Sequence, residues 1–162
     1  MCALRASSAG ARATVPRVRI RVIAVGKLKE AHYRAAVDDY LGRLARYATV
    51  DEVEIREEAL PAVAAAMKKA LPARAHVIAL TIDGRARSSE ELAAQIEALS
   101  HRAVDVAFVI GGADGIPPEI VAIANEKLSL SKMTLPHRLA RLVLVEQIYR
   151  AMTIRRGEPY HH

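Results

Sequence analysis

Three stretches of this chain, residues 18–25, 76–82 and 104–110, are rich in β-branched residues, and the last two are apolar almost throughout. A strand with one wet face alternates apolar and polar side chains, whereas a strand with no polar face must be covered on both sides. Segments of helical spacing separate these runs, at 29–47, 61–71 and 88–99. The alternation predicts an α/β fold, a mainly parallel sheet with helices on both faces. Residues 50–55 alternate apolar with acidic side chains, which predicts a half-exposed strand at a sheet edge.

Local signals sharpen the outline. Ser88 followed by Glu91 is a capping box for the helix over 88–99. Asp83-Gly84 predicts a turn that closes the strand over 76–82. Pro117-Pro118 predicts a helix start, with the helix running to about residue 127. Tyr33, Tyr40 and Tyr47 fall seven apart, with Val37, Leu41 and Leu44 on the same face. Such a stripe can stack bases, but its periodicity assigns it to the buried side of an amphipathic helix. The last helix, over 137–154, carries Leu139, Leu142, Val143, Leu144, Val145, Ile148 and Met152, far more than one apolar stripe. A helix apolar nearly all round is buried on two sides, which predicts a two-fold dimer; a central core helix is the alternative.

A chain of 162 residues, 52% hydrophobic and 26% charged, suits one soluble domain over 17–162. No apolar run approaches the roughly 20 residues that span a bilayer. The net charge of +6 is uneven: Arg5, Arg12, Arg17, Arg19 and Arg21 have no acid among them, and the rest of the chain is close to neutral. Purely electrostatic capture of nucleic acid needs a larger cationic excess, so any RNA must be met by a local patch or a composite surface. Residues 1–16 are rich in Ala, Ser and Arg; they read as a disordered extension, or as the product of an upstream start codon. Cys2 is the only cysteine, which excludes a disulfide framework and is consistent with a reducing cytosol.

The chemistry sits late in the chain. Ile110-Gly111-Gly112-Ala113-Asp114-Gly115 follows a strand directly, and glycines there let a ligand approach backbone amides. The spacing is G-G-x-x-G rather than G-x-G-x-x-G, and no acidic residue lies about twenty positions on, which disfavours a dinucleotide oxidoreductase. No phosphate-binding lysine loop, nucleophile elbow or paired histidine motif is present, so no metal site is expected. What remains is the run 128–137, then Arg138, Arg141, Glu146 and Arg150 on the last helix, and Arg155-Arg156-Gly157-Glu158-Pro159-Tyr160-His161-His162 after it. Arginines can neutralise phosphates, and Tyr160 or His161 can stack on or hydrogen-bond to a base. Glu146 and Arg150 also suit a plain structural ion pair.

Five segments together carry a resemblance: Gly26 after the first strand, Ser88-Ser89-Glu90, FVIGGADG at 108–115, LSLSKMTLPH at 128–137 and EQIYRAMTIRRGEPYH at 146–161. They resemble the RlmH family of small SPOUT-class methyltransferases over roughly residues 18–162. The resemblance implies a parallel-sheet SPOUT methyltransferase fold with a C-terminal trefoil knot. It also implies a cytoplasmic homodimer that uses S-adenosylmethionine (SAM) to methylate N3 of a pseudouridine in 23S ribosomal RNA, acting on the assembled 70S ribosome. A ribosome-associated binding factor of the same fold, without catalysis, is the rival reading.

By position, the resemblance implies a cofactor pocket formed by Leu80, Gly111, Gly112, Ser131, Lys132, Met133, Thr134, Leu135 and Pro136. His137, Arg150, Tyr160 and His161 match the family's RNA-side and catalytic positions. Leu130, Met133 and Leu135 can offer adenine an apolar slot. The acceptor imide must lose its N3 proton, to His137, to His161 or to a bound water. Arg150 suits phosphate or a base edge better than proton abstraction. The chain departs from the family at its N-terminal extension, at Thr81 where an acidic residue is common, and at His162 where a basic one is usual.

Overall fold

The computed structural model describes residues 17–161, the last by its backbone alone. The extension expected over 1–16 and the side chains of His161 and His162 lie outside the described residues. The elements alternate from the start: β1 (Arg19–Val25), α1 (Ala31–Leu44), β2 (Thr49–Ile55), α2 (Leu60–Ala70), β3 (His76–Ala86), α3 (Ser89–His101), β4 (Val106–Ile110), α4 (Pro118–Ile123), β5 (Glu126–Ser129) and α5 (His137–Arg155), then a 3-10 turn over Pro159–His161.

All five strands pair in parallel, in the order β2-β1-β4-β3-β5. Burial follows that order. Central β4 is buried at every residue, whereas β2 alternates and lies at an edge, as its acidic pattern predicts. Side chains leave a strand on alternate faces, so β4 divides its five residues between two cores. Val106, Phe108 and Ile110 join Ile20, Val22 and Ala24 of β1 under α1, α3 and α5. Ala107 and Val109 join Ile23 and Val25 of β1 under α2 and α4. Arg21 of β1 binds Asp51 through Nη2 at 2.6 Å and closes the C-terminus of α2 by donating to the Ala70 carbonyl at 2.9 Å.

The capping box is present in full: Ser88 Oγ accepts from the Glu91 amide at 3.1 Å, and Glu91 Oε2 accepts from the Ser88 amide at 2.8 Å. Other boundaries differ from those the sequence predicts. Helix α1 stops at Leu44 rather than at residue 47. Asp83-Gly84 does not end its strand. β3 runs on to Ala86, with an irregularity between Leu80 and Arg85 where it pairs with β5. A Cβ at Gly84 would lie 2.6 Å from the Leu128 carbonyl carbon, so glycine permits this close approach. The helix expected to run to residue 127 ends at Ile123, because the chain turns extended and forms β5. Asn125 fixes that change: its amide donates to the Val77 carbonyl at 2.8 Å, and its side-chain oxygen accepts from the Val77 amide at 2.7 Å.

Candidate functional site

Parallel strands direct their C-terminal ends to one side of a sheet, where ligands of open α/β folds bind. Here the ends of β4 and β5 and the middle of β3, just past its pairing with β4, surround a cleft of about 410 Å³, a size suited to a small molecule. Leu80, Thr81 and Ile82 come from β3, Ile110 to Ala113 and Gly115-Ile116 from the end of β4, and Leu128 to Ser131 from β5. Met133 to His137 and Ala140 close it from the start of α5. Of the expected cofactor residues, Leu80, Gly111, Gly112, Ser131, Met133, Thr134, Leu135 and Pro136 therefore share one cleft.

Lys132 does not line the cleft; it is exposed beside it. The loop turns there because Ser129 Oγ donates to the Ser131 carbonyl at 2.9 Å and Ser131 Oγ accepts from the Met133 amide at 3.0 Å. That turn sends the lysine outward. Two lining side chains on the rim, Met133 and Ile82, are 79% and 68% exposed, so the mouth of the cleft is itself apolar. Gly112 has a specific role. A Cβ there would stand 2.9 Å from Val25 Cγ1 and 3.4 Å from Glu57, on the core side of the loop rather than in the cleft. Glycine lets the loop lie tight against the end of β1.

Helix α5 begins at the cleft, with His137 as its first residue. Of the two arginines that follow, only Arg141 is buried; Arg138 is partly exposed. Arg138 pairs with Glu30, and Arg141, buried with 1% of its side chain exposed, donates to the Gly26 carbonyl at 2.7 Å and to Glu54 at 3.2 Å. Arg34 of α1 binds Glu52 and Glu54 at 2.8 and 2.9 Å. The arginines offered by the sequence as phosphate partners at 138 and 141 thus tie α5 to β1, β2 and the segment before α1. Arg155 is likewise committed, to Glu97 of α3, and holds that carboxyl below its ordinary range.

Arg150 and Tyr160 meet at the other end of α5. Glu146 Oε1 accepts from Arg150 Nη2 at 2.7 Å and from the Tyr160 hydroxyl at 3.1 Å, while the Arg150 guanidinium lies 4.9 Å from the Tyr160 ring centroid. The Tyr40 hydroxyl lies 3.3 Å from that of Tyr160. Burial, then the hydrogen bonds to Tyr40 and Glu146, push the Tyr160 phenol above its ordinary pKa, so it stays a protonated donor. Tyr160 is therefore packed rather than frayed. Glu146, which the sequence offers as an ion-pair partner of Arg150, proves the hub of this cluster. His137 and Arg150 are thirteen positions apart on one helix, about 20 Å at 1.5 Å per residue, so one chain does not bring the two groups together. Among the described residues, no group of three or more His, Cys, Asp or Glu could hold a metal ion.

The family model described as "Predicted SPOUT methyltransferase" matches residues 18–161. A protein of Sorangium cellulosum named "Ribosomal RNA large subunit methyltransferase H" is 51% identical over 146 residues, covering 90% of this chain and 100% of that protein. One of the same name from Listeria monocytogenes serotype 4b (strain CLIP80459) is 45% identical over 158 residues, covering 89% and 99%. Among solved structures, a probable methyltransferase of Bordetella pertussis Tohama I superposes with a TM-score of 0.54 at 15% identity, over 83% of this chain and 95% of that one. A probable methylase family protein of Haemophilus influenzae Rd KW20 gives 0.53 at 11% identity, over 90% and 70%. At such identities the structural likeness concerns the fold alone. With its glycine-loop and Leu-Pro-His motifs gathered at one cleft and the relatives matched almost end to end, the chain belongs to the RlmH family of SPOUT methyltransferases.

Proposed function

We propose that this protein transfers a methyl group from SAM to N3 of a pseudouridine in 23S ribosomal RNA, on the assembled 70S ribosome in the cytoplasm. The observation that carries this reading is the cleft at the strand ends, built from the motif residues of a methyltransferase family. The residues fit the cofactor. Leu80, Leu130 and Leu135 line an apolar slot, and the Gly111-Gly112 backbone bares amides and carbonyls. Thr134 and Ser131 add hydroxyls at the same cleft. Lys132 stands outside the cleft as a cation on its rim.

When bound, SAM supplies an electrophilic methyl on a sulfonium. The protein's part is alignment of donor and acceptor, which can account for much of the acceleration of an in-line displacement. Arg150 and the Tyr160 hydroxyl hold the RNA through phosphate or the base edge. The N3 proton leaves to His137, to His161 or to a water one of them orients.

The protein acts as a homodimer in this reading, because His137 and the Arg150–Tyr160 cluster are too far apart along α5 to serve one site from one chain. A second copy, packed on the partly exposed Leu139, Leu142 and Val143, supplies the missing end. The extended chain between β5 and α5 then belongs to the trefoil knot of the family. Methylation at N3 removes a Watson–Crick donor, so primer extension on treated 23S RNA should stop at one pseudouridine. Read-through at every pseudouridine, with SAM bound, would refute the assigned target.

A further inference from the structure

Four of the five tyrosines of the chain form one floor at the joined C-terminal ends of α1 and α5. Tyr149 lies at its centre, with ring centroids 4.7 Å from Tyr160, 5.8 Å from Tyr40 and 5.9 Å from Tyr47. Four arginines lie over this floor. Arg150 covers Tyr160 at 4.9 Å, and Arg43 covers Tyr40 at 5.5 Å and Tyr149 at 5.8 Å. Arg46 and Arg156 both lie over Tyr47, at 5.6 and 4.8 Å.

The carboxylates nearby are few and already engaged. Asp39 pairs with Arg43 at 3.0 Å, Glu146 with Arg150, and Glu158 accepts the Tyr47 hydroxyl. Arg46 and Arg156 are exposed, and among the described residues neither pairs with a carboxylate. Helix capping does not account for both. Arg17 already donates to the Ala45 and Ala48 carbonyls at the end of α1, and Arg156 reaches only the Arg46 carbonyl, at 3.5 Å. An aromatic face orients a guanidinium without neutralising it, which leaves its N–H edge free for a bidentate acceptor.

We propose that Arg46 and Arg156, with Arg43 beside them, form a phosphate ledge that grips the ribosomal RNA backbone next to the target nucleotide. The inference rests on the RNA methyltransferase reading and adds a second contact surface to it, partly on α1, outside the cleft and the Arg150–Tyr160 cluster. The ledge continues the tyrosine floor from Tyr160 through Tyr149 to Tyr47, so RNA held at Arg150 meets it along that floor. It also explains how a nearly neutral body can hold a polyanion: the charge of Arg46 and Arg156 is local, and among the described residues no carboxylate pairs with it.

The test measures binding of the full-length protein to 70S ribosomes across a salt series, beside calorimetric SAM binding and sedimentation. For R46Q/R156Q, the slope of log affinity against log salt should fall by about 1.5, the loss of two phosphate contacts, with SAM affinity and oligomeric state retained. R46K/R156K keeps both charges and should keep most of the slope. An unchanged slope in R46Q/R156Q, or weakened binding that tracks loss of the dimer or of the fold, would overturn the ledge. Failure of the wild-type protein to methylate ribosomes would instead count against the enzymatic reading, and the binding slopes would still decide the ledge.

Discussion

Gly112 lines the cleft with its backbone, while the space its missing side chain leaves lies on the far side of the loop. Its missing Cβ faces Val25 and Glu57, so Gly112→Ala should displace the loop outward rather than fill the cleft. Overpacking of this kind costs about 1–3 kcal/mol. SAM affinity should therefore fall roughly tenfold and Tm by a few degrees; an unaltered Kd by calorimetry would mean the loop is not held against β1 as described. Arg141 is the opposite case, a polar residue whose role is internal. Arg141→Met would free the Gly26 carbonyl and leave Glu54 to Arg34 alone, costing about 3 kcal/mol in urea denaturation. A loss under about 1 kcal/mol would show that the bridge contributes little. Sequence spacing marked the glycines and the Leu-Pro-His run, because their chemistry is local. It could not show that Arg141 is buried, since its partners lie about 90 positions away at Glu52 and Glu54.

The elements that sequence rendered well are those with one dominant local cause. Continuous apolar runs predicted β3 and β4, acidic alternation predicted the edge strand β2, and Ser88 with Glu91 predicted the start of α3. β5 was hidden because its four residues, Glu-Lys-Leu-Ser, have no strand-like composition. Tertiary partners hold it: Asn125 reproduces a ladder bond to Val77, and Glu126 accepts from Arg87 and Gln95 at 3.1 and 2.7 Å. Asn125→Ala should cost about 1 kcal/mol and raise amide exchange at Val77; unchanged protection would remove Asn125 from that role. At the end of α5, the hydrogen bond to Glu158, with burial second, pushes the Tyr47 phenol from 10.0 to about 12. A raised folded-state pKa means that this stability is complete below pH 10 and is lost as pH rises through about 12. Tyr47→Phe should flatten the fall in Tm across that window. An equal fall in wild type and variant would show that the tail is not anchored there.

At the scale of the whole molecule, one helix carries both His137 and the Arg150–Tyr160 cluster and keeps them apart. His137 opens α5 beside the cleft, and Arg150 and Tyr160 sit near its far end. If the site is shared between copies, mixing inactive His137→Ala and Arg150→Ala subunits restores one intact site in each mixed dimer. Activity should then recover to about a quarter of wild type at equal mixing; no recovery would mean that each chain works alone. The sequence suggested a dimer from the apolar breadth of α5, but breadth alone does not say which end of a partner meets which cleft. The most direct measurement is transfer of labelled methyl from SAM to ribosomes lacking this modification, with separated subunits and free 23S RNA in parallel. The account predicts label in the 70S sample alone, at N3 of one pseudouridine. Label on free RNA to the same extent, or on no substrate despite bound SAM, would contradict it.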